Sequence, residues 1–312
     1  MQDPADTAAP SFDPTKAPAG RLARLGIVFD GRTPPGHVAP LARMCARAGI
    51  DAVWLAGALE GTPLRGEFDP WTEVGAVESA IHETTLGVLV DGSKALPAGV
   101  SDLLEGRIEI ALAGVGSDHH TALDAIRAAL RGMAYRLSAV ARSPDDIGRL
   151  LDTVDDVVLS AWHWADLETA ADEWRAAAVE LGRDPATLGV AALLPVSIGR
   201  TVAEASARAE IDPTFVRFGH PSDIGIFGTL EECQDRVIAL AHAGITDLRC
   251  VLPATPDVHD VIAQLTAITI GTTDVLVPGS LRSPSPPPPE GWGGRPHRPP
   301  SPQTSSGSRR RA

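Results

Sequence analysis

Residues 22–59 read LARLGIVFDGRTPPGHVAPLARMCARAGIDAVWLAGAL, and this stretch decides the fold. Leu22 to Phe29 is a short apolar run with the length of a strand. Val38 to Ala48 spaces its apolar residues as a helix and stops at Gly49, a residue suited to the left-handed turn after a helix. Ala52 to Leu59 is a second apolar run. Strand, helix and strand within 38 residues make a βαβ unit, which requires a parallel pair.

The same alternation continues along the chain. Strand-like runs recur at Thr85–Val90, Arg107–Val115, Ala134–Ala141, Asp156–Ala161, Val190–Ile198 and Leu248–Leu252. Helical patterns fill Trp71–His82, Thr121–Arg131, Asp145–Val154, Asp166–Leu181, Thr229–Ala243 and Asp257–Ala267. Thr229 with Glu232 three residues on is a capping box, and Ser143-Pro144 is a cap and first turn. The strands are almost continuously apolar rather than alternating, as expected for a parallel sheet covered on both faces. About eight such units in roughly 250 residues predict a closed (β/α)8 barrel of the TIM type, with a doubly wound open sheet as the alternative.

Composition bounds the function. The 312 residues carry 27 basic against 40 acidic side chains, a net charge of −13, which disfavours nucleic-acid backbones as partners. No apolar run is long enough to span a membrane, and the first twenty residues lack a basic start followed by an apolar stretch, so a cytoplasmic protein is expected. Three widely spaced cysteines, Cys45, Cys233 and Cys250, read as buried reduced thiols. Residues 1–20 read as a flexible arm and residues 21–276 as the barrel domain. Residues 277–312 form a Pro/Ser/Arg-rich tail that cannot bury enough surface to order itself. Six arginines against one glutamate there leave about −18 on the rest of the chain. Walker, nucleophile-elbow and HExxH motifs are absent from the sequence, so nucleotide hydrolysis, serine hydrolysis and zinc proteolysis have no support.

Five fragments share one resemblance. AGIDAVWLAG (Ala48–Gly57), TTLGVLVDG (Thr84–Gly92), DLLEGRIEIALAGVG (Asp102–Gly116), ELGRDPATLGVAALLPVSIG (Glu180–Gly199) and GTLEECQDRVIALAHAGITDLRCVLP (Gly228–Pro253) resemble, in order, the bacterial luciferase-like family of flavin monooxygenases and F420-dependent oxidoreductases. That family has a (β/α)8 barrel and commonly forms homodimers. The resemblance implies F420 as cofactor, or FMN as the alternative, and a small-molecule or peptide-borne acceptor. The arginine-over-lysine bias fits a GC-rich genome and leans the choice to F420. Asp118-His119-His120 could suggest a metal site, but no third ligand follows at convincing spacing, so no metal is expected.

The resemblance also places candidate residues at the loops after the strands, where barrel enzymes build their sites. After the third strand, Gly87, Leu89 and Val90 match a region where relatives carry a non-prolyl cis bond against the cofactor ring. After the fourth, Gly114 and Gly116 match a glycine-rich approach to the ring. His119 and His120 follow; a neutral imidazole is suited to proton transfer near neutrality, and a surface or helix-capping role is the other reading. Asp30, after the first strand, offers an orienting carboxylate or a plain turn residue. After the fifth, Ala141, Arg142 and Ser143 match a turn that holds cofactor phosphate, for which a helix N-terminus and a guanidinium are suited; a plain capped helix is the other reading. Trp162, His163 and Trp164, in a chain with only 4% aromatics, suggest a substrate pocket or packing of a loop on the barrel.

Two departures stand out. Where relatives place Asp-His after the second strand, this chain has Gly57 and Ala58, neither of which transfers a proton. Several connecting stretches are short, so a pruned, non-catalytic homologue acting as a partner subunit is the alternative from another class.

Overall fold

Apolar runs too short for helices pair as strands. The computed structural model describes residues 21–269 apart from 60, 61, 63, 65, 67, 83, 93–95, 98–107, 115–118, 132–134, 151–152, 161 and 255–257. Its strands are β1 (Arg24–Phe29), β2 (Ala52–Ala56), β3 (Thr85–Asp91), β4 (Ile108–Ala113), β5 (Tyr135–Ala141), β6 (Asp156–Ser160), β7 (Gly189–Ile198), β8 (Ile226–Gly228) and β9 (Asp247–Val251). All pair in parallel in the order β6-β5-β4-β3-β2-β1-β9-β7, and β6 also pairs with β7. That last pairing closes the ring, so the sheet is an eight-stranded barrel and not the open alternative. β8 is a short side branch on the second half of β7, where Val196 to Ile198 face Ile226 to Gly228. The expected arm 1–20 and tail 277–312 lie outside the described residues.

The helices between strands are α1 (Val38–Arg47), α2 (Val74–Glu78), α3 (His119–Ala129), α4 (Pro144–Leu150), α5 (Trp164–Glu180), α6 (Val202–Ile211), α7 (Pro213–Phe218), α8 (Pro221–Ile224), α9 (Leu230–His242) and α10 (Val258–Ile268). The capping box of α9 forms as the sequence predicts: Thr229 accepts from the Glu232 backbone N–H, and Glu232 accepts from that of Thr229. The long helix expected over Trp71–His82 is instead a 3₁₀ turn, Pro70–Thr72, followed by the five-residue α2. Asp69 caps that turn and Pro70 fixes its first residue.

Alternation along each strand separates two apolar cores. Leu25, Ile27, Val53, Leu55, Val88 and Ile110 face the helices. Val28, Trp54, Leu89, Val140, Leu193 and Val251 fill the barrel interior. Near the strand N-termini the interior is ionic. Arg24 pairs with Glu109 at 2.8 Å, Arg249 with Asp247 at 3.3 Å, and Arg136 with Asp156. Burial disfavours charge on Arg24, but Glu109 and Asp247 outweigh it and hold that guanidinium above its ordinary pKa. On Arg249 burial wins and the shift is downward.

Trp54 lies above this layer, fully buried. Its pyrrole edge covers Gly26 and its benzo edge covers Gly87, where an added Cβ would come within 2.8 Å and 2.4 Å of ring atoms. The guanidinium of Arg249 sits 3.7 Å from the ring centroid. The lower half of the barrel is therefore a filled core, and any site must lie above it.

Candidate functional site

After β2 the described residues among 57–69 include a loop segment that lies on the end of β1. At Gly66 a Cβ would meet the Asp30 carbonyl at 1.7 Å, so this loop lies backbone against backbone on the end of β1. Leu59 and Leu64 from it are buried in one cluster with the upper interior residues. The segment between β7 and β8 contributes Phe215, Phe218 and Ile224 to the same cluster, and β8 itself adds Phe227. Phe215 and Phe227 meet edge to face, 5.9 Å between centroids. The axis of the barrel is thus closed by the chain's own side chains.

Asp212 latches this cover. Its carboxylate caps α7 by accepting from the Thr214 N–H, takes the N–H of Ala254, and receives Arg32 at 2.7 and 2.9 Å. Arg32 also pairs with Asp30 at 2.7 Å and donates to the Leu252 carbonyl. Asp30 and Asp212 together raise the Arg32 pKa against the opposing effect of burial. Arg32, Asp30 and Asp212 tie the ends of β1 and β9 to α7.

Among the described residues, cavities of about 330 Å³ lie beside this cover, which is within the range of small-molecule sites. The first opens beside the closed axis, between the ends of β2 and β3. Its floor is Leu89, Val90 and Asp91, its walls include Trp71 and Phe68, and Gly57 and Ala58 form its β2 edge. Asp69 and Asp91 are the only charged residues in its described lining. Position 57 is tight as well as chemically blank, since a Cβ there would stand 2.9 Å from the Phe68 carbonyl oxygen. The second cavity runs between β1, α1 and the β9 end, lined by Phe29, Leu41, Leu252 and Val258 with Asp30, Arg32 and His37 at hand.

The candidates read from sequence are scattered by this geometry. Leu89 and Val90 come together in the first cavity. Among the described residues there is no cis peptide bond, so the expected non-prolyl cis bulge at Leu89-Val90 is not formed; β3 runs on as regular strand to Asp91, with Val90 opposite Leu112 and Asp91 opposite Ala113. Gly87 lies beneath the Trp54 ring, two residues deeper than the cavity floor. Asp30 is 3% exposed and committed to Arg32, beside the second cavity. Gly114 has φ of +66° at the end of β4; Gly116 lies outside the described residues. His119 and His120 begin α3. Trp162 is buried and donates to the Ala141 carbonyl at 2.9 Å, packing between strand and helix. His163 is exposed as the residue before α5, and Trp164 is half-buried under Arg236. The sequence reading missed Asp91 and the cover 212–227. A carboxylate ending an apolar strand, LGVLVD, was the available signal for the first, and Asp212-Pro213 at a helix start for the second.

The turn Ala141–Ser143 meets α4, whose first turn carries Asp145 and Asp146. The Arg142 N–H, which would face a bound phosphate, donates to the Asp146 carboxylate at 3.0 Å. Arg142 itself is exposed. Burial pushes the thiols of Cys45 and Cys233 up to about 12, and that of Cys250 also upward. Among the described residues no group of three or more His, Cys, Asp or Glu side chains is placed to hold a metal, and no helix is long and apolar enough to cross a membrane.

No protein-family model and no curated protein sequence matches the chain. Solved structures do. A coenzyme F420-dependent tetrahydromethanopterin reductase from Methanopyrus kandleri matches with a TM-score of 0.63 at 13% identity, over 80% of this chain and 98% of that one. An F420-dependent secondary alcohol dehydrogenase matches with 0.64 at 14% identity, over 79% and 98%. The FMN-bound oxygenating constituent of 3,6-diketocamphane monooxygenase from Pseudomonas putida matches with 0.57 at 13% identity, over 80% and 98%. These neighbours are luciferase-like enzymes, and the chain shares their barrel nearly end to end.

Proposed function

We propose that this protein is a luciferase-like oxidoreductase that carries a flat redox ring in the cavity between β2 and β3. F420 is the first choice, with FMN as the alternative, for two-electron reduction of a small-molecule or peptide-borne acceptor. The observation that carries the reading is the cavity itself. It stands at the C-terminal strand ends of a barrel shared with F420- and FMN-dependent enzymes, and its lining combines Leu59, Phe68, Trp71 and Leu89 with the carboxylates of Asp69 and Asp91. Leu89, at the interior face of β3, and Trp71 line it and offer apolar contact for a ring.

A bound deazaflavin or flavin would supply the hydride chemistry. The chain's own residues position the ring, exclude water and move a proton. Leu59, Leu89 and Trp71 give the cavity its apolar part. Asp91, 8% exposed at the end of β3, is the buried carboxylate on its floor and is assigned the proton. Its neighbour across the sheet is Ala113 at the end of β4. His119 and His120, at the start of α3, stay in the reading as acid–base candidates. A homodimer and a cytoplasmic setting belong to the same reading.

The closed axis and the blank Gly57-Ala58 edge favour a second reading, a non-catalytic homologue that binds a partner or ligand. Titration separates the two. The oxidoreductase reading expects quenching of F420 or FMN fluorescence with saturation in the micromolar range, and absence of binding of either at about 50 µM overturns it.

A further inference from the structure

We propose that the cavity between β1, α1 and the β9 end is a second ligand site, which takes a small primary ammonium with an apolar or aromatic body. It is separate from the β2–β3 cavity and stands whether or not that one holds a ring. Its volume of about 330 Å³ suits a small molecule. Phe29, Leu41, Leu252 and Val258 give it apolar walls, and Asp30 and Arg32 supply its charge. Each nitrogen of the Arg32 guanidinium is engaged. Its Nε pairs with Asp30 at 2.7 Å, its Nη1 donates to both oxygens of Asp212, and its Nη2 donates to the Leu252 carbonyl at 2.9 Å. A carboxylate or phosphate in the cavity would compete with these partners for it. Asp212 also takes the N–H groups of Thr214 and Ala254, so its acceptor positions are filled, and its charge balances the guanidinium. Asp30 differs. It is 3% exposed, lines the cavity, and among the described residues takes hydrogen bonds from Arg32 alone. A carboxylate has about four acceptor positions, so Asp30 keeps room for a further donor. Two carboxylates around one guanidinium also leave an excess negative charge against apolar walls, where an opposite charge is held more strongly than in water. The ring of Phe29 favours a cation over a neutral group of the same shape. The net charge of −13 draws cations toward the chain.

The test uses the full chain with 2-phenylethylamine as the probe, and 2-phenylethanol and 3-phenylpropanoate as its neutral and anionic counterparts, read by isothermal titration calorimetry. The amine is expected to bind saturably, with a dissociation constant below about 1 mM and at least about tenfold tighter than either counterpart. Asp30→Asn leaves Arg32 paired with Asp212; it is expected to weaken the amine about tenfold and to leave the alcohol within about twofold. Leu41→Trp adds bulk to the cavity wall from α1 and leaves all three charges in place; it is expected to weaken the amine and the alcohol alike by about tenfold or more. No saturable binding of the amine, equal affinity for amine and alcohol, or amine binding that either variant leaves unchanged overturns the inference. None of these outcomes bears on the ring site, which the flavin titration tests.

Discussion

Gly87 separates two accounts of the upper barrel. If it faces a cofactor, adding a methyl weakens ligand binding and leaves the fold intact. If its room is taken by Trp54, the methyl strikes the core. The geometry favours the second. A Cβ at position 87 would lie 2.4 Å from the Cδ2 and Cε3 atoms of Trp54, roughly 1 Å inside ordinary contact distance. The ring has little room to retreat, because Gly26 lies under its other edge and Arg249 is stacked 3.7 Å from its centroid. Overpacking of this kind costs 1–3 kcal/mol, and the pinned ring places Gly87→Ala near about 3. For a domain of this size that is a fall in melting temperature of about 6–12 °C. An unobstructed strand glycine would respond the other way, gaining about 0.5–1 kcal/mol. The assay is a double-mutant cycle by urea denaturation with Trp54→Leu. Trp54→Leu alone is expected to cost about 3 kcal/mol, and in its background Gly87→Ala should cost less than about 1, a coupling of about 2 kcal/mol. Equal costs of Gly87→Ala in the two backgrounds, or a Gly87→Ala protein that melts with the wild type, would refute the packing.

Asp91→Asn is expected to lower turnover by about 10²–10³-fold while leaving ring affinity nearly unchanged; equal losses in both would show that Asp91 holds the ligand and does not move the proton. Arg32→Ala leaves the buried carboxylates of Asp30 and Asp212 without their shared partner and should destabilise the fold by about 3 kcal/mol; adding Asp30→Asn should recover part of the loss in urea denaturation, and no recovery would contradict the latch. The thiols predict a pH dependence. In the native state Cys45 and Cys233 hold their protons to about pH 12, while the unfolded chain releases them from about 9. The unfolded state therefore binds fewer protons in that window, and stability falls as pH rises, by about 1.4 kcal/mol per thiol per pH unit. With one tyrosine and two lysines in the chain, few other groups titrate there, so a urea midpoint unchanged between pH 8 and pH 10 would contradict the burial of the thiols.

The barrel was legible because each parallel strand is covered on both faces and so becomes a continuous apolar run. Thr85 to Val90 shows the pattern best, and the observed strand differs by one residue. Helices ended where Gly49, Gly182 and Gly244 take positive φ. The cover 212–227 was not legible: α7 and α8 have six and four residues, too few to display a helical period. The interior ion pairs were hidden for another reason. Arg24 and Glu109 stand 85 residues apart and meet only because the ring closes. Single charges near the starts of β1, β4, β5, β6 and β9 were visible as breaks in apolar runs, but their pairing belongs to the three-dimensional register. The glycines misled for the converse reason. A strand glycine signals that something approaches closely, and at Gly87 the visitor is the chain's own Trp54. At the proposed site, the resemblance pointed to Leu89 and Val90, which line the cavity, whereas Asp91, one residue on, lay just past the expected strand end.

The most direct test of the account is a crystal structure of the protein soaked with F420 or FMN. The account predicts electron density for the ring in the β2–β3 cavity, against Leu89 and Trp71, with Phe215 and Phe218 still packed in the barrel interior. A ring found instead in the cavity beside Arg32 and His37, or seated on the axis with Phe215 and Phe218 displaced, would contradict it.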